Sequence, residues 1–211
     1  MPNDAYRDAP RLPENGAIDL RELMGAGTSP VELEIGPGRG WFLVERLRIF
    51  PDLFMVGLEI RRKWATIVDR RLSRLGLGER ARVFAEDVRL VMPRLTDASL
   101  GAVFLHFPDP WWKRRHEKRR LLTPELVRHV ARILAPGGEL FLQTDVRERA
   151  ALFADIVGRD GRLTPVEDSP WVSEHPYLAR SPRERRVIDD GLPVYRLRYQ
   201  RPFDEAPVNA P

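Results

Sequence analysis

The chain has 211 residues, 43% hydrophobic and 9% aromatic, enough to bury one sizeable core and too few for two ordinary domains. Cysteine is absent, which excludes disulfides and thiolate metal sites and permits a reducing compartment. With 35 Lys and Arg against 31 Asp and Glu, the net charge is +4, so the clustering of cations says more about a polyanionic partner than their sum.

Residues 1–30 are rich in Pro, Gly and acids and read as a loose lead-in with one helical turn at "DLRELM". Its opening lacks the apolar core of a signal peptide and no later run reaches the length of a membrane span, so a soluble, cytoplasmic chain is expected. Residues 31–200 read as a single domain. "VELEI" (31–35) is a short β-branched run ending at glycine and "LFMVGLEI" (53–60) is another, both reading as strands, with a helix over "GWFLVERLRIF" between them. "RRKWATIVDRRLSRLG" sets Trp64, Ile67, Val68, Leu72 and Leu75 on one helical stripe, stops at Gly76 and leaves an arginine-rich outer face. "ARVFAED" (81–87) and "GAVFLHF" (101–107) read as the third and fourth strands. "TPELVRHVARILAPGG" supplies a threonine N-cap, proline at the first helical position and a Gly-Gly stop. "ELFLQTD" (139–145) is a fifth strand, followed by a helix through "RERAALFADIVG" and a late strand at "PVYRLRYQ" (193–200). Residues 201–211 are expected to form a disordered tail.

This alternation predicts an α/β fold, an open and mostly parallel sheet flanked by helices, with right-handed crossovers. Ligands of such sheets bind at the carboxyl ends of the strands. Polar residues gather there: Glu34 with Gly36, then Glu59, Asp87, Asp109 and Asp145. Gly36, Gly38 and Gly40 of "ELEIGPGRG" form a strand-to-helix turn where the backbone can approach a nucleotide-type ligand. The spacing is G-x-G-x-G behind an acid, whereas a dinucleotide fold prefers G-x-G-x-x-G; Glu34 would repel a pyrophosphate and suits a cationic ligand. Glu59 is placed to accept the hydroxyls of a ribose, and Asp87 to accept from an adenine amino group. A tight connection and solvated loop acids would explain each residue singly, but not the coordinated set.

In "FPDPWWKRRHEKRR", Pro108 and Pro110 restrict the backbone around Asp109 and aim its carboxylate. Trp111 and Trp112 are available either to stack a base or to fill the core. Lys113, Arg114, Arg115, Lys118, Arg119 and Arg120 form a patch able to neutralise phosphates. His106 and His116 make a poor pair of ligands, so no metal is expected.

"ELEIGPGRG", "GLEI" and "AEDV" resemble the cofactor motifs of class I S-adenosylmethionine methyltransferases, and "FPDPWWKRRHEKRR" resembles the signature of the bacterial tRNA (guanine-N(7)-)-methyltransferases. Phe107 to Trp111, Lys113, His116 and Lys118 to Arg120 fit the usual pattern. The resemblance implies a Rossmann-like class I fold with a seven-stranded sheet, S-adenosylmethionine as methyl donor, and tRNA as partner, methylated on a variable-loop guanine at position 46. It implies Asp109 as catalytic residue, lying also beside the cofactor with Glu34, Gly36, Gly38, Gly40, Glu59 and Asp87. Substrate contacts fall on Lys113, Asp145, Ser181 and Glu184, the last two occupying a family Thr-x-x-Glu; RNA contacts fall on Arg115, His116, Lys118, Arg119 and Arg120. Three positions depart from the pattern: Ser181 replaces threonine, Glu117 replaces an asparagine inside the basic patch, and the lead-in carries only Arg7 and Arg11 before the core. Two other readings remain open at this point, an S-adenosylmethionine enzyme of another RNA or small molecule and a non-catalytic RNA-binding module. Oligomeric state is open between monomer and homodimer.

Overall fold

The computed structural model describes residues 6–108 and 121–203. In chain order these form α1 (Leu20–Met24), β1 (Val31–Ile35), α2 (Trp41–Ile49), β2 (Phe54–Leu58), α3 (Arg62–Arg74), β3 (Ala81–Phe84) and α4 (Val88–Val91) with a 3-10 turn after it. There follow β4 (Leu100–His106), α5 (Pro124–Ile133), β5 (Leu134–Thr144), α6 (Arg147–Asp160), β6 (Thr164–Pro165), β7 (Trp171–Val172), α7 (Pro182–Asp189) and β8 (Tyr195–Gln200). Seven strands lie in the order β3-β2-β1-β4-β5-β8-β6, and the short β7 pairs with β8 as an eighth. β1 to β5 are mutually parallel, while β8 runs antiparallel to β5. The strand order reverses between β1 and β4, so their carboxyl ends open the crevice where ligands of such sheets bind.

Alternation along the strands sends side chains to two layers. Val31, Leu33 and Ile35 of β1 face one layer, built with α1, α4, α5 and α6; α2 and α3 cover the other through Phe42, Leu43, Leu47, Val68 and Leu72. α5 starts where Thr123 accepts from the Leu126 N–H at 3.2 Å and Pro124 takes the first helical position. Its buried stripe, Leu126, Val127, Val130 and Ile133, is worth about 1.5–3 kcal/mol per side chain.

The structure corrects several expectations. The Gly-Gly pair does not stop α5: Ala135 precedes Pro136 and is steered away from helical geometry, so the helix ends at Ile133 and passes straight into β5. Gly137 and Gly138 instead occupy an irregularity of β5, where the register against β4 jumps from Leu134 to Glu139 and a Cβ on Gly138 would stand 2.9 Å from the Leu100 carbonyl oxygen. The third strand ends at Phe84, and Asp87 caps α4 by accepting from the Arg89 N–H. The lead-in is packed rather than loose from Ala9 to Ala26: Leu12, Ile18, Leu20 and Met24 are buried, and Ile18 bridges to Leu95. α7 was not foreseen in "SPRERRVID", although Ser181 with proline behind it and glutamate three residues on is a start signal. The expected tail lies, from residue 204 on, outside the described residues. No helix among the described residues is long and apolar enough to cross a membrane.

Candidate active site at the carboxyl edge of the sheet

A cavity of about 490 Å³ opens at the ends of β1 to β4, within the range of small-molecule sites. Ile35 and Gly36 contribute from β1, Leu58 to Arg61 from β2, Glu86 to Arg89 from the β3 exit, and Leu105 to Pro108 from β4. The apolar side chains Leu58, Ile60, Val88 and Leu105 suit a flat aromatic group, while Glu59 and Asp87 supply acceptors.

The three glycines of the turn do three different things. Gly36, at φ +69°, lines the cavity and has nothing within 4 Å of where a Cβ would stand, so its backbone is open to a ligand. Gly38 donates its N–H to Glu59 Oε2 at 3.1 Å. Gly40, at φ +69°, lets α2 press onto α3: a Cβ there would fall 2.2 Å from a Val68 methyl carbon. Glu59 is 2% exposed, and its Oε1 accepts from the Arg61 N–H at 3.0 Å and from Arg61 Nε at 3.2 Å. Those three bonds leave about one of the roughly four acceptor positions of a carboxylate free. The third comes from the Arg61 guanidinium, whose side chain is 64% exposed.

Asp87 is held by Arg89, whose Nη2 lies 2.5 Å from Oδ2 and whose backbone N–H donates to Oδ1 at 3.0 Å. The Arg89 guanidinium keeps the Asp87 carboxyl below its usual range despite partial burial. At the end of β4, Phe107 takes φ +45° and donates its N–H to the Gln143 carbonyl at 2.7 Å. A bulky residue in that region is strained, and such strain is concentrated at functional sites. The Arg183 guanidinium lies 5.3 Å from the Phe107 ring and is bonded to Asp145 at 3.0 Å, so Asp145 joins the cavity wall through one arginine.

Glu34 does not line the cavity. It lies on the opposite face of β1, 3% exposed, and reaches the site through His106, whose Nδ1 is 2.9 Å from Oε1. His106 begins a buried polar layer that the sequence reading missed. Gln143 stands opposite both His106 and Arg196 in the sheet register, and His175 covers them with its ring 6.1 Å from that of His106. Glu184, which the sequence offered as a substrate contact, is 0% exposed and bound by Arg196 Nη2 at 2.7 Å. Ser181 caps α7 by accepting from the Glu184 N–H at 3.2 Å. Below this layer, Glu32 is bonded to Arg46, and Glu139 to Arg198 and to the Tyr177 hydroxyl. The signal was present: "VELEI" and "YRLRYQ" alternate acids and arginines with apolar residues, and both polar sets face the same layer. Burial pushes His175 down to about 3, helped by the charges of Arg196, Arg180 and Arg46, so its ring is neutral. Its Nδ1 accepts from the Tyr177 N–H at 3.3 Å, which leaves the proton on Nε2, facing Glu184 at 3.7 Å. Glu34 Oε2, His106 Nε2, both amide atoms of Gln143, His175 Nε2 and Glu184 Oε2 are buried without a hydrogen-bond partner among the described residues.

Asp109, Trp111, Trp112, Lys113, Arg114, Arg115, His116, Glu117, Lys118, Arg119 and Arg120 lie outside the described residues. Among the described residues, no group of three or more metal-ligating side chains comes together.

A family model described as "Putative methyltransferase" matches residues 28–197. The tRNA (guanine-N(7)-)-methyltransferase of Myxococcus xanthus is 38% identical over 83% of this chain and 85% of its own length. That of Microcystis aeruginosa is 35% identical over 84% and 86%. Among solved structures, a 16S rRNA methyltransferase, KamB, superposes with a TM-score of 0.61 over 90% of this chain and 95% of its own, at 14% identity. A geranyl diphosphate C-methyltransferase from Streptomyces coelicolor, solved with S-adenosyl-L-homocysteine, gives 0.54 over 82% and 71% at 16% identity. The architecture is thus the Rossmann-like class I methyltransferase fold, and by its matching relatives over most of both lengths the chain belongs to the tRNA (guanine-N(7)-)-methyltransferase family.

Proposed function

We propose that the protein transfers a methyl group from S-adenosylmethionine to N(7) of a guanine in tRNA, in the variable loop at position 46. The observation that carries the reading is the cavity whose floor is Gly36 and Glu59 and whose rim, Phe107–Pro108, leads directly into Asp109. The cavity fits the donor. A buried carboxylate with acceptor capacity suits ribose hydroxyls, Gly36 leaves room for backbone approach, apolar residues flank the space, and the two arginines among its described lining residues, Arg61 and Arg89, are each paired with a carboxylate. When bound, S-adenosylmethionine supplies a sulfonium-activated methyl group. Glu59 would hold the ribose, Asp87 and Val88 the adenine edge, and the Gly36 turn the amino acid portion, with Glu34 acting through His106.

Guanine N(7) carries a free lone pair at neutral pH and needs no base to attack. The protein's task is therefore proximity and alignment, together with stabilising the positive charge that develops on the purine. Asp109, which lies between Pro108 and Pro110 in the sequence, is proposed for both duties at the guanine N–H edge. Lys113, Asp145 and Ser181 are proposed as further substrate contacts, and the fully buried Glu184 as a residue that acts only by setting the start of α7, where Arg183 reaches Asp145 and Phe107. Arg115, His116, Lys118, Arg119 and Arg120 would grip the phosphates on either side of the target. A cytoplasmic location, as a monomer or a homodimer, goes with that substrate.

The test is transfer of labelled methyl from S-adenosylmethionine to a tRNA transcript and to the same transcript with guanine 46 changed to adenine. Label on the first alone supports the reading. Equal label on both moves the target to another nucleotide, and label on neither rejects tRNA as the substrate.

A further inference from the structure

Arg71, on the arginine-rich face of α3 that the site above does not use, meets the start of α2. There Trp41 keeps 41% of its surface exposed at the first position of α2. The Arg71 guanidinium lies 4.6 Å from its ring, and Arg71 Nη1 donates to the Arg39 carbonyl at 2.5 Å. Arg39 in turn lies 5.3 Å from the Trp64 ring. A groove of about 420 Å³ runs beside Trp41, lined also by Val44, Glu45, Arg48, Pro182 and Arg185. Its one carboxylate, Glu45, is bonded to Arg185 and to the Arg180 N–H. Arg48 is exposed and has no partner among the described residues.

We propose that this groove, built from residues other than the cationic run at 113–120, contacts tRNA, and that it takes the phosphate backbone with a base or sugar against Trp41. Charge and shape support this occupant. Every cation along the groove is arginine, whose planar fork bonds phosphate oxygens in pairs and stacks on rings. An exposed tryptophan between them offers the platform that unpaired or terminal bases use. The groove also connects with the chemistry: Pro182 lines it, and the next residue, Arg183, packs on Phe107 of the donor cavity. The start of α7 thus belongs both to the groove and to the wall of the donor cavity.

The inference rests on tRNA being the substrate, so its test separates the two. Affinity for a tRNA transcript is measured at several salt concentrations for the wild-type protein, Arg48→Ala/Arg185→Ala, Trp41→Ala and Trp41→Tyr. Cofactor affinity by calorimetry and methyl transfer by the wild type are measured beside them. Losing two arginines should flatten the slope of log affinity against log salt by about 2. Trp41→Ala should weaken tRNA binding by about tenfold or more and Trp41→Tyr should restore most of it. In each variant KM for tRNA should rise more than kcat falls, with cofactor affinity kept. Unchanged tRNA affinity and salt slope in variants that still bind cofactor overturn the proposal. So does a change confined to sedimentation behaviour, which would assign the groove to a protein contact. If the wild type methylates tRNA and the variants bind like it, the groove falls and the function stands; if the wild type leaves tRNA unmethylated while the variants lose tRNA affinity, the reverse holds.

Discussion

Replacing Arg196 by methionine isolates the role of the buried layer under the site. Arg196 is 6% exposed and bonds Glu184 Oε1 through Nη2 at 2.7 Å and Nε at 3.2 Å, while its Nη1 donates to the Ser173 carbonyl at 2.7 Å. Removing the guanidinium leaves Glu184, 0% exposed, as an unpaired buried anion whose second oxygen already lacks a partner. Breaking such a pair costs about 3–5 kcal/mol, a large share of the roughly 5–15 kcal/mol that holds a domain folded. In Arg196→Met/Glu184→Leu no charge is left to strand, and stability should return to within about 1 kcal/mol of wild type or exceed it. Urea unfolding with a common slope measures both. Methyl transfer measured on the same samples then divides structure from function. If Glu184 also serves the substrate, the double variant regains stability and keeps a raised KM for tRNA. A loss below about 1 kcal/mol in Arg196→Met, or a double variant no more stable than the single, would refute the argument from burial.

Gly40→Ala should destabilise by about 2–4 kcal/mol, from a left-handed backbone and a clash with Val68; adding Val68→Ala should relieve the overpacking share alone, as thermal unfolding would register. Glu59→Gln should weaken S-adenosylmethionine binding at least about tenfold in calorimetry, by losing charge-assisted acceptance of ribose hydroxyls, and should also lower the melting temperature, because its amide NH2 must face either the Gly38 or the Arg61 N–H. His175 gives a pH signature. Its folded value of about 3 lies below the ordinary 6.5, so below about pH 6.5 the unfolded chain takes up a proton that the folded chain refuses. The stability it confers is full above 6.5 and is lost as pH falls toward 3, by about 2 kcal/mol at pH 5. His175→Phe should flatten that limb of the unfolding free energy against pH, and an unchanged limb would assign it to other groups.

The parallel core was legible because its strands are rich in β-branched and apolar residues and end at a polar residue or glycine. "VELEI" is β1 to the residue, and Thr123–Pro124 marked the start of α5 from local chemistry alone. What the sequence hid depends on partners far along the chain. Glu34 and Glu184 look alike as acids near a sheet edge, yet one is turned to His106 and the other to Arg196, and only the register of β4, β5 and β8 decides this. Gly36, Gly38 and Gly40 read as one motif, whereas only Gly36 faces the cavity. The Gly-Gly pair misled because a helix stop and a strand bulge draw on the same freedom of φ, and Pro136 had already ended the helix.

The most direct test of guanine N(7) as the nucleophile is methyl transfer to a tRNA carrying 7-deazaguanosine at position 46, beside the identical tRNA carrying guanosine. The two differ by one atom and keep the same N–H edge for Asp109. Label on the guanosine tRNA and none on the 7-deaza tRNA, with both bound alike, is the predicted result. Equal label on both would contradict it, placing the methyl group on another atom.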